Sequence, residues 1–172
     1  MVIKDTIIII IVALFWLLST VVGDFIGASW TATICAVTWL LFDHCIWKTL
    51  PPIIVRRYNI GGAWSGKLHY NYKNKKGAKA AELCISQTFS KTTVCLKTGE
   101  MEGESVVSQW SFSKNKLFYI YMTDPKSEYK DKNPIQYGGA RIKIDPKNLN
   151  KIYIEYWTDR GTKGHMEFKK KC

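Results

Sequence analysis

Residues 63–72 read AWSGKLHYNY. Trp64, Gly66, Leu68, Tyr70 and Tyr72 fall on one side of an extended chain, and Ser65, Lys67, His69 and Asn71 fall on the other. A period of two marks a strand with one face buried and one face wet. The pattern recurs downstream. Ala140, Ile142 and Ile144 alternate with Arg141 and Lys143, and Ile152, Ile154 and Tyr156 alternate with Tyr153, Glu155 and Trp157. The chain after residue 61 therefore predicts eight strands, at 63–72, 80–88, 92–98, 105–112, 117–123, 140–145, 151–159 and 163–170. Turn chemistry separates them at 74–77, 99–103, 113–116, 146–150 and 159–161, and the longest gap, 124–139, holds Pro125, Pro134 and a Gly-Gly pair. Short links favour up-and-down order. Eight strands in about 110 residues suit a closed antiparallel barrel, which leaves no exposed edge. Its interior has room for side chains or one small ligand. A β-sandwich is the alternative. No long helix-period segment follows Lys48, so α/β folds are not expected.

The chain before this domain has a different character. Residues 6–22 read TIIIIIVALFWLLSTVV, and after the break GDFIG at 23–27 a second apolar run continues to about Trp47. A bilayer-spanning helix needs about 20 apolar residues. Two spans are expected, at about 3–22 and 28–47, with Asp43 and His44 near the interface and Trp47-Lys48 as an anchor. Residues 48–60, with Pro51-Pro52, read as a stiff linker, and 61–172 as the soluble domain. Lys4 lies on one flank of the spans, Lys48, Arg56 and Arg57 on the other, and no cation lies between the runs. The positive-inside rule then puts both termini and the β-domain in the cytoplasm. A cleaved signal peptide explains the first run but not the second. Ala28, Ala32 and Ala36 form a small-residue row, suited to close helix packing within or between chains.

The whole chain carries 25 Lys and Arg against 14 Asp and Glu, a net +11. Setting aside Lys4, Asp5, Asp24 and Asp43 leaves +13 for the part after residue 47. Such a domain attracts either anionic headgroups or an anionic ligand. Lys73, Lys75, Lys76 and Lys79 read as a solvated loop tip. The five cysteines include no CxxC pair, and reduced thiols with no metal site are expected.

Catalysis is not expected. GxSxG, P-loop, HExxH and GxGxxG patterns are all missing, the three histidines are far apart, and Glu100, Glu102 and Glu104 read as a solvated acidic turn. The positive signal is aromatic residues interleaved with cations in the second half of the domain. Rings stack nucleobases, and arginine makes planar contacts with phosphate. On that chemistry Tyr72, Trp110, Tyr119, Tyr121, Arg141, Tyr156 and Arg160 are the candidate ligand-binding residues. Most of these rings also suit a barrel core, and Arg160 also suits a hairpin turn. Alternation puts Arg141 outside or at the rim, away from a deep ligand. A membrane-tethered barrel for lipid or another hydrophobe is the competing reading, although an apolar ligand does not require the charge.

The start of the domain, Gly-Gly-Ala-Trp64-Ser-Gly66, resembles the first strand of lipocalin- and avidin-like barrels. Two amino-terminal spans, a compact basic β-domain and the closing segment WTDRGTKG at 157–164 together resemble the two-transmembrane, β-strand-rich effectors of bacterial CBASS antiphage systems. The resemblance covers essentially the whole chain. It implies that a cGAS/DncV-like nucleotidyltransferase makes a cyclic dinucleotide on infection and that the barrel binds it. It further implies that the effector oligomerises in the inner membrane and disrupts it, killing the cell. It implies no cofactor and no DNA or RNA polymer as partner, and it supplies no residue-level ligand contacts.

Overall fold

The computed structural model describes residues 25–73, 75–131 and 133–171, together with residues 12, 13, 16, 17 and 20. It divides into two compact units, residues 1–55 with 88–90, and residues 56–87 with 91–172.

In the first unit, α1 spans Phe25–His44. The first expected span, about 3–22, lies outside the described residues apart from the five named above. Among the described residues no helix is long and apolar enough to cross a membrane. Trp47, Val55 and Phe89 form a small buried cluster, with Trp39, Phe42 and Leu50 packed on it. The Phe42 and Phe89 rings meet edge to face at 4.9 Å. Asp43 is buried. Its carboxylate accepts from the Ser90 N–H at 2.7 Å, and its carbonyl accepts from the Phe89 N–H at 2.8 Å. A buried carboxylate needs such partners, because desolvation without them is costly.

The second unit is a closed barrel of eight antiparallel strands in sequence order. They are β1 Gly62–Tyr72, β2 Lys75–Gln87, β3 Thr92–Thr98, β4 Met101–Ser111, β5 Lys116–Pro125, β6 Gln136–Ile144, β7 Lys151–Thr158 and β8 Lys163–Lys170. Pairing of β1 with β8, from Trp64↔Lys170 to Asn71↔Lys163, closes the sheet and excludes the sandwich. Trp64 and Leu68 point into the core, as do Ala140, Ile142, Ile144, Ile152, Ile154 and Tyr156. The alternation thus holds along β1, β6 and β7. Burial of each such large apolar side chain contributes about 1.5–3 kcal/mol.

One end of the barrel is plugged. Tyr58, Ile60 and Trp64 pack there with Trp110, Phe112 and Leu149. The Trp64 indole N–H donates to the Ile60 carbonyl at 3.1 Å, and the Tyr58 hydroxyl donates to Asn115 Oδ1 at 2.8 Å. The buried Gln87 amide clamps the segment entering β1. Its Nε2 donates to the Tyr58 carbonyl and its Oε1 accepts from the Ile60 N–H, each at 3.0 Å.

Three strands begin at least four residues earlier than alternation predicts, β2 at Lys75, β4 at Met101 and β6 at Gln136. The lysine-rich segment read as a loop tip extends β2, in register with β1 from Tyr72↔Lys75 to Lys67↔Ala80. Glu102 and Glu104, read as part of a turn, belong to β4 and pair with Asp124 and Met122 of β5. On its other edge β4 pairs with β3 only from Glu102 to Glu104. A register shift between Ser105 and Val107 then bends the strand. Beyond it, side chains replace the ladder. Ser105 Oγ accepts from the Val94 N–H at 2.9 Å, and Ser108 Oγ donates to the Thr92 carbonyl at 2.6 Å.

Candidate ligand-binding cavity

At the end opposite the plug, the strands enclose a cavity of about 300 Å³. Leu68, Leu96 and Met166 form its apolar lining, and Tyr70, Tyr121 and Tyr156 add aromatic surface. Tyr72 at the end of β1, Lys79 within β2 and Arg160 on the turn between β7 and β8 also line it. A larger groove of about 580 Å³ runs over the outer faces of β1, β6, β7 and β8. It lacks the enclosure that side chains from all around a barrel provide, so the interior cavity is the better ligand site.

The tyrosines are held by their neighbours. The Tyr121 hydroxyl donates to the Trp157 carbonyl at 3.2 Å, and the Tyr156 hydroxyl donates to the His69 carbonyl at 3.3 Å. Gly138 makes room for the first contact, since a Cβ there would meet the Tyr121 hydroxyl at 2.5 Å and the Trp157 carbonyl at 2.3 Å. Burial pushes the phenols of Tyr119, Tyr121 and Tyr156 well above their ordinary range. They therefore act as neutral rings and neutral donors at any physiological pH. Thr123 Oγ1 is also committed, donating to the Gln136 carbonyl at 3.3 Å. The buried Thr158 hydroxyl, also in the lining, has no hydrogen-bond partner among the described residues.

Cations rim the site. The Arg160 guanidinium carbon lies 5.6 Å from the Tyr72 ring centre, and Lys73 Nζ lies 5.4 Å from the same ring. The turn carrying Arg160 is fixed by Gly161 at φ 77°, by the Gly161 N–H donating to the Thr158 carbonyl at 3.0 Å, and by the Asp159 N–H donating to the Tyr137 carbonyl at 2.9 Å. Lys79 Nζ lies 5.4 Å from the Tyr70 ring centre and 2.6 Å from Glu100 Oε2.

The candidates chosen from sequence separate by place. Tyr72, Tyr121, Tyr156 and Arg160 line the cavity. Tyr119 is buried beneath it, its ring 5.9 Å from that of Tyr121. Trp110 is at the plugged end, where its indole N–H donates to Thr92 Oγ1 at 3.1 Å. Arg141 faces outward and pairs with Glu155, which Lys143 also contacts at 2.5 Å. Sequence reasoning missed Lys79, Tyr70 and Thr158 at the site. Tyr70 was legible from its place on the inner face of β1, but the side chains of Lys79 and Thr158 carried no such signal. His69 and His165, distant in sequence, stack at 4.7 Å across the β1–β8 seam and continue to Tyr153, all on the outer wall. Among the described residues no group of His, Cys, Asp and Glu is placed to hold a metal ion.

A small closed barrel, plugged at one end and carrying a tyrosine-lined, cation-rimmed cavity at the other, defines a ligand-binding barrel. Residues 56–170 match the family model described as Cap15, cyclic dinucleotide receptor domain, and this match spans the whole barrel. CD-NTase-associated protein 15 from Staphylococcus schleiferi is 31% identical over 145 residues, covering 83% of this chain and 78% of the relative. The chain belongs to the Cap15 cyclic dinucleotide receptor family.

Proposed function

We propose that this protein is a membrane effector of CBASS antiphage defence whose barrel binds a cyclic dinucleotide. The carrying observation is the cavity, in which Tyr121 and Tyr156 face an interior rimmed by Arg160 over Tyr72. Bases stack on such rings at about 1–3 kcal/mol each. The guanidinium suits a phosphodiester, which it meets as a planar, charge-assisted donor. A volume of about 300 Å³ lies at the small end of ligand sites. One base and its sugar enter, and the phosphates stay at the mouth among the cations. The Thr158 hydroxyl gains a partner from the buried base or sugar, which relieves the cost of its lone burial.

The output is at the inner membrane. The apolar runs at about 3–22 and 28–47 anchor the chain as two spans, with both termini and the barrel in the cytoplasm. This part of the reading rests on sequence. A nucleotidyltransferase of the cGAS/DncV-like class supplies the messenger. Ligand-bound chains assemble into a homo-oligomer among membrane lipids and disrupt the bilayer, and the infected cell dies. Coupling requires that the assembled form bind ligand more tightly than the unassembled one.

The test is titration of the full chain in detergent micelles with cyclic di-GMP, cyclic di-AMP, cyclic di-UMP and cyclic GMP–AMP, against linear dinucleotides, at moderate salt. At least one cyclic form is expected to bind at micromolar or lower concentration, and Arg160→Ala to weaken it about tenfold or more. If no cyclic form binds, the receptor reading is wrong.

A further inference from the structure

Lys79 and Arg160 both line the cavity, yet they differ in what they hold. Arg160 has no carboxylate partner among the described residues, only the Tyr72 ring. Lys79 is paired with Glu100 at 2.6 Å. The same carboxylate oxygen accepts from Asn133 Nδ2 at 3.1 Å, and the Glu100 carbonyl accepts from the Lys126 N–H at 3.0 Å. Asn133 is itself a lining residue, fixed further by its N–H to the Tyr129 carbonyl at 2.8 Å. The Glu100 side chain thus ties one cavity cation to Asn133, in the chain between β5 and β6.

A cyclic dinucleotide carries two phosphodiesters, each with one negative charge. Arg160 satisfies one. A second phosphodiester at the same mouth meets Lys79, whose charge is already neutralised by a carboxylate on a neighbouring turn. The pair is partly exposed, with side-chain exposures of 37% and 27%, so exchange of one anion for another is inexpensive.

We propose that Lys79 is the second phosphate-binding cation of the cavity, and that Glu100 is a built-in competing anion which the ligand phosphate displaces. The proposal rests on the cyclic dinucleotide reading given above. Displacement of Glu100 from Lys79 also releases its acceptor oxygen from Asn133, so ligand binding loosens the hold on Asn133. Glu100 sets the affinity threshold, since a messenger must outcompete it before both cations are engaged.

The experiment is a double-mutant cycle on the full chain in detergent, read as the Kd for whichever of the four cyclic dinucleotides binds wild type most tightly. Glu100→Gln keeps an acceptor for Asn133 but removes the charge, and is expected to tighten binding about two- to fivefold. Lys79→Met is expected to weaken it about tenfold or more. In the Lys79→Met background Glu100→Gln should no longer tighten binding. Glu102→Gln is the control for net charge, because Glu102 pairs with Lys97 at 3.3 Å and does not line the cavity. It should leave the Kd unchanged, and thermal melting should show all variants folded. A carboxylate that merely orients Lys79 for the ligand gives the opposite sign, with Glu100→Gln weakening binding. That result, or an unchanged Kd in Glu100→Gln or Lys79→Met, overturns the inference while wild-type binding preserves the receptor reading. A wild-type chain that binds none of the four nucleotides overturns both.

Discussion

Arg141 and Arg160 are chemically identical, and their fates in the fold are opposite. Arg160 sits on a turn over Tyr72 at the cavity, whereas Arg141 lies on the outer face of β6 with Glu155. The hydrogen bond from Lys143 and the one from Arg141 hold the Glu155 carboxyl below the usual carboxylate range, against partial burial, which pushes it up. A carboxyl with a lowered folded pKa stabilises the fold above its unfolded value of about 4.5, and that stability is lost as pH falls through the folded value. Glu155→Gln should therefore lower stability by about 0.2–1 kcal/mol near neutral pH. The deficit should close as the pH drops below that unfolded value. Denaturant melts at several pH values check this, and a deficit that persists in acid would point to lost packing rather than lost charge.

Among the elements, β2 and β4 show how neighbours override local preference. Lysine, glutamate and glycine are poor strand formers, so 74–77 and 99–103 read as turns. Pairing with β1 and β5 carries 75–77 and 101–103 into the sheet. The extra residues of β2 are what bring Lys79 to the cavity, and the turn before β4 brings Glu100 to Lys79. In α1, Ala32 and Ala36 are exposed. A helix in lipid uses such small side chains for close approach to another helix. Ala32→Trp should reduce toxicity on co-expression with a cognate nucleotidyltransferase by about tenfold or more in surviving colonies, because a bulky side chain there blocks close approach of another helix. Nucleotide affinity in detergent should not change. Undiminished killing would remove the alanine row from the assembly surface.

For the whole molecule, a net charge of +11 acts at longer range than any single contact. It draws an anionic ligand toward the protein, and salt screens that attraction over about 8 Å at physiological ionic strength. Stopped-flow association with a cyclic dinucleotide should slow several-fold between low and physiological salt, with a smaller change in dissociation. A salt-independent association rate would mean that the basic surface faces away from the ligand's approach. The strand count, the inner and outer faces of β1, β6 and β7, and the basic, motif-poor character of the domain were all determined by the sequence alone. Alternation is a local property, readable wherever one face of a strand is buried. Only the tertiary structure decided which residues meet. It put Trp110 into the plug and Arg141 on the outer wall, and it gathered Tyr72, Tyr121, Tyr156 and Arg160 with Lys79 around one cavity. Those meetings depend on the register of eight strands and on closure between β1 and β8, nearly 100 residues apart, and no local pattern encodes that distance.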